Sequence, residues 1–504
     1  MDQGFSGMAR GLALSARRYP DKPALVEIDR VSLTYRELAD GSIRLASLLA
    51  SRGLGKGDHV AILSGNSVEH MVALYAAAFL GAVSIALDPK WTAVEIAHAI
   101  VAFDCRIAIV DEDLEKGLAL TPPGSPALGR LVYRKHKDRC ELLDSLRGTS
   151  AVPPPVLVHD HDVCTIVLTS GTTGFPKGVV RTHRNVEVGC LNGALGKGQS
   201  EEGRELAVVP IYYGSGRGSV IGQIFLGATV FILPSFDAER TASIIDREKI
   251  TAIAMAPPMC RRLLQLPRLE RFDFRSLGSL RKAGSPFSLA MATEIIERIT
   301  PNIYQGYAST ETGSVTLLRP HEQLTKLGSS GRLEWGVETR LVGPGGEEVS
   351  RGAEGEIAVR GPNVCQGYYK NPEEEARVIR DGWFHTGDIG RFDDEGYLFV
   401  VGRIKDMIKT GSISVSPREV ENAILSLASI EDAAVVGAPD PEWGEAIRAF
   451  VVPGPGASVA AEEILAHCRS RLAGYKVPKS VTFVTTIERN GLGKVTQEFK
   501  ARAR

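Results

Sequence analysis

Residues 169–178 read Thr-Ser-Gly-Thr-Thr-Gly-Phe-Pro-Lys-Gly and follow the apolar run Cys164–Leu168. The stretch offers hydroxyls at Thr169, Ser170, Thr172 and Thr173, and an ammonium at Lys177. Gly171, Gly174 and Gly178 let the backbone approach a ligand closely, so hydroxyls, amides and lysine together suit a polyphosphate. The spacing differs from a P-loop, which has four residues between its glycines and ends in Lys-Ser or Lys-Thr. Here two residues separate Gly171 from Gly174, and a glycine follows Lys177. A buried strand running into such a loop is how open α/β sheets hold ligands, beyond the carboxyl ends of their strands.

The same shape recurs downstream. Ala252–Ala256 ends at Pro257–Pro258, Leu280–Ala283 runs into Gly-Ser-Pro, and Ile303–Tyr304 runs into QGYASTE at 305–311. These loops are expected to converge on one crevice. Upstream, Val60–Leu63, Val83–Leu87 and Arg106–Val110 read as strands that alternate with helices over 68–80 and 93–103. Such alternation indicates a largely parallel α/β sheet. Residues 121–126 (TPPGSP) and 151–155 (AVPPP) read as loops.

With 504 residues the chain exceeds what one hydrophobic core organises. A hydrophobic fraction of 43% and a charged fraction of 24% are those of a soluble globular protein. The net charge of −1 gives no reason to expect nucleic acid or an anionic membrane as partner. The start lacks the basic-then-apolar order of a secretory signal. The apolar run Met71–Leu87 is short for a membrane span and reads as a helix followed by a buried strand. Seven scattered cysteines with no CxxC pair suit small buried hydrophobes in a reducing cytosol, so a cytoplasmic location is expected.

Near residue 400 the pattern changes. Arg391–Arg403 reads as a hairpin turning at Asp394–Gly396. A helix start follows, with Ser416 as N-cap, Pro417 in the first turn and Glu419 three residues after the cap. Val420, Ala423, Ile424 and Leu427 form its apolar stripe. The expected fold is therefore α/β. A large N-terminal domain of mixed and parallel sheets with flanking helices is expected over 1–402, a boundary at 403–406, and a small α+β domain over 407–504.

The 169–178 string resembles the phosphate loop of the adenylate-forming, AMP-binding superfamily, which holds acyl-CoA synthetases and aryl-CoA ligases, peptide-synthetase adenylation domains and beetle luciferases. Four further stretches are similar to its motifs in the same order. They are Tyr307-Ala308-Ser309-Thr310-Glu311, Trp383-Phe384-His385-Thr386-Gly387-Asp388, Gly402-Arg403-Ile404-Lys405-Asp406, and Asn490-Gly491-Leu492-Gly493-Lys494. The resemblance implies attack of a carboxylate on the α-phosphorus of ATP, expelling pyrophosphate. Two anions then meet, so the site must supply fixed cations and a Mg2+ ion rather than a nucleophile. It implies that Lys494 is the cation at the reacting groups and that Glu311 is the Mg2+ ligand. It also implies that Thr310 contacts the α-phosphate. Thr169, Ser170, Gly171, Thr172, Thr173, Gly174, Lys177, Gly306 and Tyr307 would surround the nucleotide, with Asp388 and Arg403 on the ribose. Lys405 matches the hinge about which the small domain turns between half-reactions.

Tyr213, in Pro210-Ile211-Tyr212-Tyr213-Gly214, stands where many acyl-CoA synthetases have an aromatic gate histidine. No carboxylate lies between 210 and 218, which argues against an α-amino acid substrate. Tyr213, Arg217, Gly284, Ser285 and Ala308 are expected at the acyl pocket, and its small residues suggest an aryl or short-to-medium acid. Val436–Glu445 resembles the small-domain segment of coenzyme A ligases, while Ser412 replaces a usual glycine. The expected activity is an acid–thiol ligase using ATP, Mg2+ and coenzyme A, as monomer or homodimer. The alternatives are a stand-alone enzyme that loads a carrier protein, a nucleotide-binding protein that has lost catalysis, and a luciferase-like oxidase.

Overall fold

The computed structural model describes residues 6–118, 128–169, 176–285, 287–326, 328–410, 413–454, 456–489 and 495–503. Two seven-stranded sheets make up most of it. The first runs Ile303–Tyr304, Ser279–Lys282, Ala252–Met255, Arg204–Ala207, Thr229–Ile232, Pro23–Glu27, Val31–Thr34. It is parallel except for its last pair. The second runs Gly367–Tyr368, Lys177–Thr182, Val163–Thr169, Val83–Leu87, His59–Leu63, Cys105–Asp111, Gly129–Tyr133. It too is parallel, except that the strand Lys177–Thr182 is antiparallel to both neighbours.

The helix Val68–Leu80 is buried along its whole length. Its apolar residues therefore show little facial bias, because every face meets protein. Ser67 caps it through a hydroxyl that accepts from the His70 amide, and Gly81, at φ 69°, ends it in the left-handed conformation. The strand Val83–Leu87 follows, so Met71–Leu87 is helix plus buried strand, as its β-branched end indicates. Among the described residues no helix is long and apolar enough to cross a membrane. All seven cysteines are free.

A third, antiparallel sheet joins Glu338–Val342, Gly355–Arg360, Trp383–Phe392, Ile379–Arg380 and Leu398–Arg403. The expected hairpin lies in it, and the Asp393 carboxylate closes the turn by accepting from the Glu395 and Tyr397 amides. A fourth sheet is built from Ile408–Thr410, Ile413–Val415, Ile430–Asp440, Gly444–Pro453 and Ser480–Phe483. It has a buried cluster of its own, running from Ile408 to Val477. The helix after Ser416 spans Pro417–Leu425, so Leu427 lies beyond its end. Ser416 makes no side-chain cap there. Its hydroxyl donates instead to the Val401 carbonyl at 2.6 Å, tying the helix start to the hairpin strand.

Candidate active site

The strands Val163–Thr169 and Lys177–Thr182 pair antiparallel, with Thr169 opposite Lys177. Ser170, Gly171, Thr172, Thr173 and Gly174 lie outside the described residues, as do Ser412 and Lys494. The Lys177 ammonium sits 2.7 Å from Glu374 and 5.6 Å from the centre of the Tyr368 ring. Glu374 also pairs with Arg377 at 2.7 Å. Arg377 foremost, then Lys177, holds the Glu374 carboxyl down to about 2.

Asp388 is 5% exposed and accepts at both oxygens. The Tyr307 hydroxyl donates to Oδ2 at 2.6 Å and Arg403 Nε to Oδ1 at 2.9 Å. Asp388 and Arg403 face each other across the hairpin, so strand register creates the pair. Burial, then the Asp388 charge, pushes the Tyr307 phenol well up, so it remains a donor. Gly306 is required here, because a Cβ at that position would lie 2.1 Å from the Thr316 carbonyl oxygen. A carboxylate has about four acceptor sites, so Asp388 keeps capacity for further donors.

The segment 310–314 is pinned through its backbone. Arg181 Nη1 donates to the carbonyls of Thr310 at 3.0 Å and Glu311 at 3.4 Å. Cys365 N donates to Glu311 O at 2.7 Å, and Asn363 Nδ2 to Thr312 O at 2.7 Å. Pinning the backbone leaves the Glu311 side chain to face Tyr368, whose hydroxyl donates to Oε1 at 3.0 Å. The loop after Ile303–Tyr304 thus meets the edge of the second sheet.

Cations gather on the same side. Burial foremost lowers the Lys405 ammonium, and Arg403, Lys500 and Lys177 add repulsion that Asp406 opposes. Lys405 lies in the short turn Ile404–Asp406, where Lys500 reaches Asp406 at 3.3 Å. A field this positive favours bound anions.

On the acyl side the Tyr213 hydroxyl donates to Asp88 Oδ2 at 2.7 Å. Asp88 follows the strand Val83–Leu87 directly, so the carboxyl end of that strand positions Tyr213. Gly284 has φ 71°, a conformation that favours glycine, and Lys282 Nζ donates to its carbonyl at 2.9 Å. Ala308 is exposed and Ser285 is half-buried. Arg217, also expected at the acyl pocket, lies on the helix that follows Tyr213. It is 3% exposed and shares the buried face of the helix Gly214–Leu226 with Val220, Ile221 and Ile224. Its two terminal nitrogens have no hydrogen-bond partner among the described residues, and burial lowers its pKa to about 10. The helical period explains this, since positions 217, 220, 221 and 224 fall on one face.

The sequence reading missed Glu374, Tyr368, Arg181 and Asp88. Only Asp88 had a local signal, a carboxylate at the carboxyl end of a buried strand. Arg181 and Tyr368 reach the site through pairing between distant strands, and Glu374 through the packing of the helix Pro372–Val378.

The family described as AMP-binding enzyme matches residues 12–369, and its C-terminal domain family matches residues 419–494. A feruloyl-CoA synthase of Amycolatopsis sp is 37% identical over 468 residues, covering 92% of each chain. The o-succinylbenzoate coenzyme A synthetase of Bacillus subtilis, solved with ATP and a magnesium ion, superposes with TM-score 0.85 at 28% identity, covering 97% of this chain and 99% of that one. An anthranilate CoA ligase solved with anthranoyl-AMP gives TM-score 0.91 at 25% identity, covering 99% and 97%.

Proposed function

The chain belongs to the family of AMP-binding enzymes, and on that premise we propose that it is an ATP-dependent carboxylic acid–coenzyme A ligase. Acid, ATP and coenzyme A give acyl-CoA, AMP and pyrophosphate through an acyl-adenylate. The observation that carries this reading is the buried Asp388 held between Tyr307 and Arg403, beside the pinned Glu311 and the cations Lys177 and Lys405. Asp388 and Arg403 take the ribose, while Thr169, Lys177, Thr310 and the loop 170–174 take the phosphates. Lys494 supplies the charge at the reacting carboxylate and α-phosphate. Fixed positive charge is what two meeting anions need.

Among the described residues no cluster of three or more His, Cys, Asp or Glu could hold a metal. A single carboxylate still fits Mg2+, which takes one or two carboxylates and completes its shell with phosphate oxygens and water. Glu311 would hold it, and the ion supplies neutralisation of phosphate charge. Residues 1–402 form the core, 403–406 the hinge and 407–504 the mobile domain. The cluster that begins at Ile408 and the turn at Lys405 support this division. The aryl acids named for the relatives, with Gly284 and Ser285 at the pocket, support an aryl acid over a long alkyl chain. The small polar substrates and free cysteines support a cytoplasmic location.

Pyrophosphate release, measured with aryl, branched, dicarboxylic and fatty acids with and without coenzyme A, tests the reading. An aryl acid is expected to give thioester and AMP in equal amounts. Absence of acid-dependent ATP–pyrophosphate exchange with every acid would overturn it. Lys494→Ala is expected to lower adenylation by about 10³ or more while sparing thiolation of a supplied acyl-adenylate. Lys405→Pro is expected to do the reverse. Equal loss of both steps in both variants would end the division of roles.

A further inference from the structure

Just past Tyr213, the helix Gly214–Leu226 carries Ser215, Gly218, Ser219 and Gly222 along one face. Ser215 and Gly218 are exposed, and a Cβ at Gly218 would meet no atom within 4 Å. From Ser215 to Gly222 the face is about 10 Å long. The neighbouring helix His183–Lys197 carries Gly189, Gly193 and Gly196 at the same spacing. Glycine weakens a helix, so such runs give up stability. Leu317 fills the space at Gly196, its Cδ2 2.7 Å from where a Cβ would stand, while Gly189, Gly218 and Gly222 leave room for a flat group.

Both faces end on the same buried charges. Ser219 donates to Glu205, which is ion-paired with Arg281. The charges of Glu334, Arg281 and Glu205 all act on Lys197. The Lys197 ammonium lies 3.6 Å from where a Gly193 Cβ would stand, and a Glu334 oxygen 3.9 Å from where a Gly196 Cβ would stand. Glu334 is 9% exposed; the Ser314 side chain approaches its carboxylate without full hydrogen-bond geometry, and neither oxygen is otherwise bonded among the described residues. Glu205 Oε2 and Asn192 Oδ1, on residues 1% and 3% exposed, are equally unpartnered. Buried acceptors are ordinarily satisfied, so acceptors left open beside a glycine-lined space point to a missing donor.

Resting on the ligase reading above, we propose that this cluster is the far end of the acyl site. It selects acids bearing an aryl hydroxyl remote from the carboxylate, which donates to Glu334 and accepts from Lys197. A second carboxylate would face Glu334 and Glu205. An ammonium would face Lys197 and Arg281. A hydroxyl both donates and accepts, and so fits a mixed pair without adding charge. The glycine faces suit the plane of a ring.

The test compares para-coumarate, cinnamate and para-methylcinnamate as substrates, reading kcat/KM for pyrophosphate release. The wild-type enzyme is expected to favour para-coumarate over cinnamate by about 10² or more, because a site built to bond a hydroxyl rejects the analogue lacking it. Glu334→Ala is expected to collapse that ratio to within about threefold. Lys197→Met is expected to lower it as well, and it serves if Glu334→Ala does not fold. Equal use of para-coumarate and cinnamate by the wild type, preference for the methyl compound, or an intact ratio in both variants would overturn the proposal. Calorimetric binding of para-coumarate and cinnamate to the wild-type protein without ATP reads the same discrimination. Failure of the ligase reading is thereby separable from failure of this one.

Discussion

On the nucleotide side Asp388 is bonded to Tyr307 and Arg403, Glu311 to Tyr368 and Lys177 to Glu374, whereas at the groove end Glu334 keeps two buried oxygens without partners. The contrast follows the charge of what each end is proposed to bind. ATP brings several negative charges, enough to displace or share an ion pair, so its site can hold exchangeable partners and stay ordered without it. A neutral hydroxyl cannot compete with an ion pair, so a site for it has to leave its acceptors open. Unmet acceptors cost about 1–3 kcal/mol each, a cost that bound substrate removes.

The largest effect should come from breaking the satisfied side. Asp388→Ala leaves the buried Tyr307 hydroxyl and the Arg403 guanidinium without their shared acceptor. We expect kcat/KM for ATP, read by pyrophosphate exchange, to fall by about 10²–10³. Stability should drop by about 1–3 kcal/mol in urea titrations. Exchange within tenfold of wild type would show that the pair is structural.

A smaller effect is expected at Glu374. Glu374→Gln frees Lys177 from its competitor, so KM for ATP should fall by about two- to fivefold, the scale of a partly exposed ion pair. The carboxyl is held at about 2 against an ordinary 4.5. Its ion pairs therefore stabilise the fold fully above the ordinary value and lose that contribution as the pH falls towards 2. Urea midpoints of wild type and variant should differ at neutral pH and converge through that window. A raised KM would mean that Glu374 positions Lys177 for ATP instead of withholding it.

Much of this architecture was legible in the sequence because it is written locally. Val83–Leu87 and Ile303–Tyr304 are strands with the expected bounds, and the hairpin turn is set by Asp393 and Gly396. Asp388 and Arg403 were both singled out, although their pairing is a matter of register across two strands. What stayed hidden depends on tertiary placement. Glu374 sits in a run of three glutamates that reads as an ordinary helix start, and its meeting with Lys177 joins residues almost two hundred apart. Glu334 and Lys197 belong to unremarkable segments, and only packing makes them neighbours. Arg217 was legible as a charge near the acyl segment but not as a buried one. Which way one helical position faces depends on what packs against the helix.

Arg217 also offers the smallest and sharpest test of the contrast between open and satisfied charge. Its buried guanidinium lacks partners at both terminal nitrogens, as Glu334 does at both oxygens, yet it lies on the helix face of Val220, Ile221 and Ile224, within reach of Arg181 and Cys164, and not on the glycine face. Burial foremost lowers its pKa, and the charge of Arg181 lowers it further. A base depressed in the fold binds protons less readily there than in the unfolded chain. The stability penalty is therefore fully present below about 10 and eases as the pH rises through that value towards the ordinary guanidinium range. Arg217→Met keeps the length and apolar stem while removing the charge. Thermal melts should show the variant as stable as wild type or a few degrees more so at neutral pH, with the gap narrowing above pH 10. The KM for the acid should stay within about twofold, the range of a substitution outside the binding surface. A tenfold rise in that KM would instead give Arg217 to the acyl site, and its open guanidinium would belong with Glu334 as a group awaiting substrate.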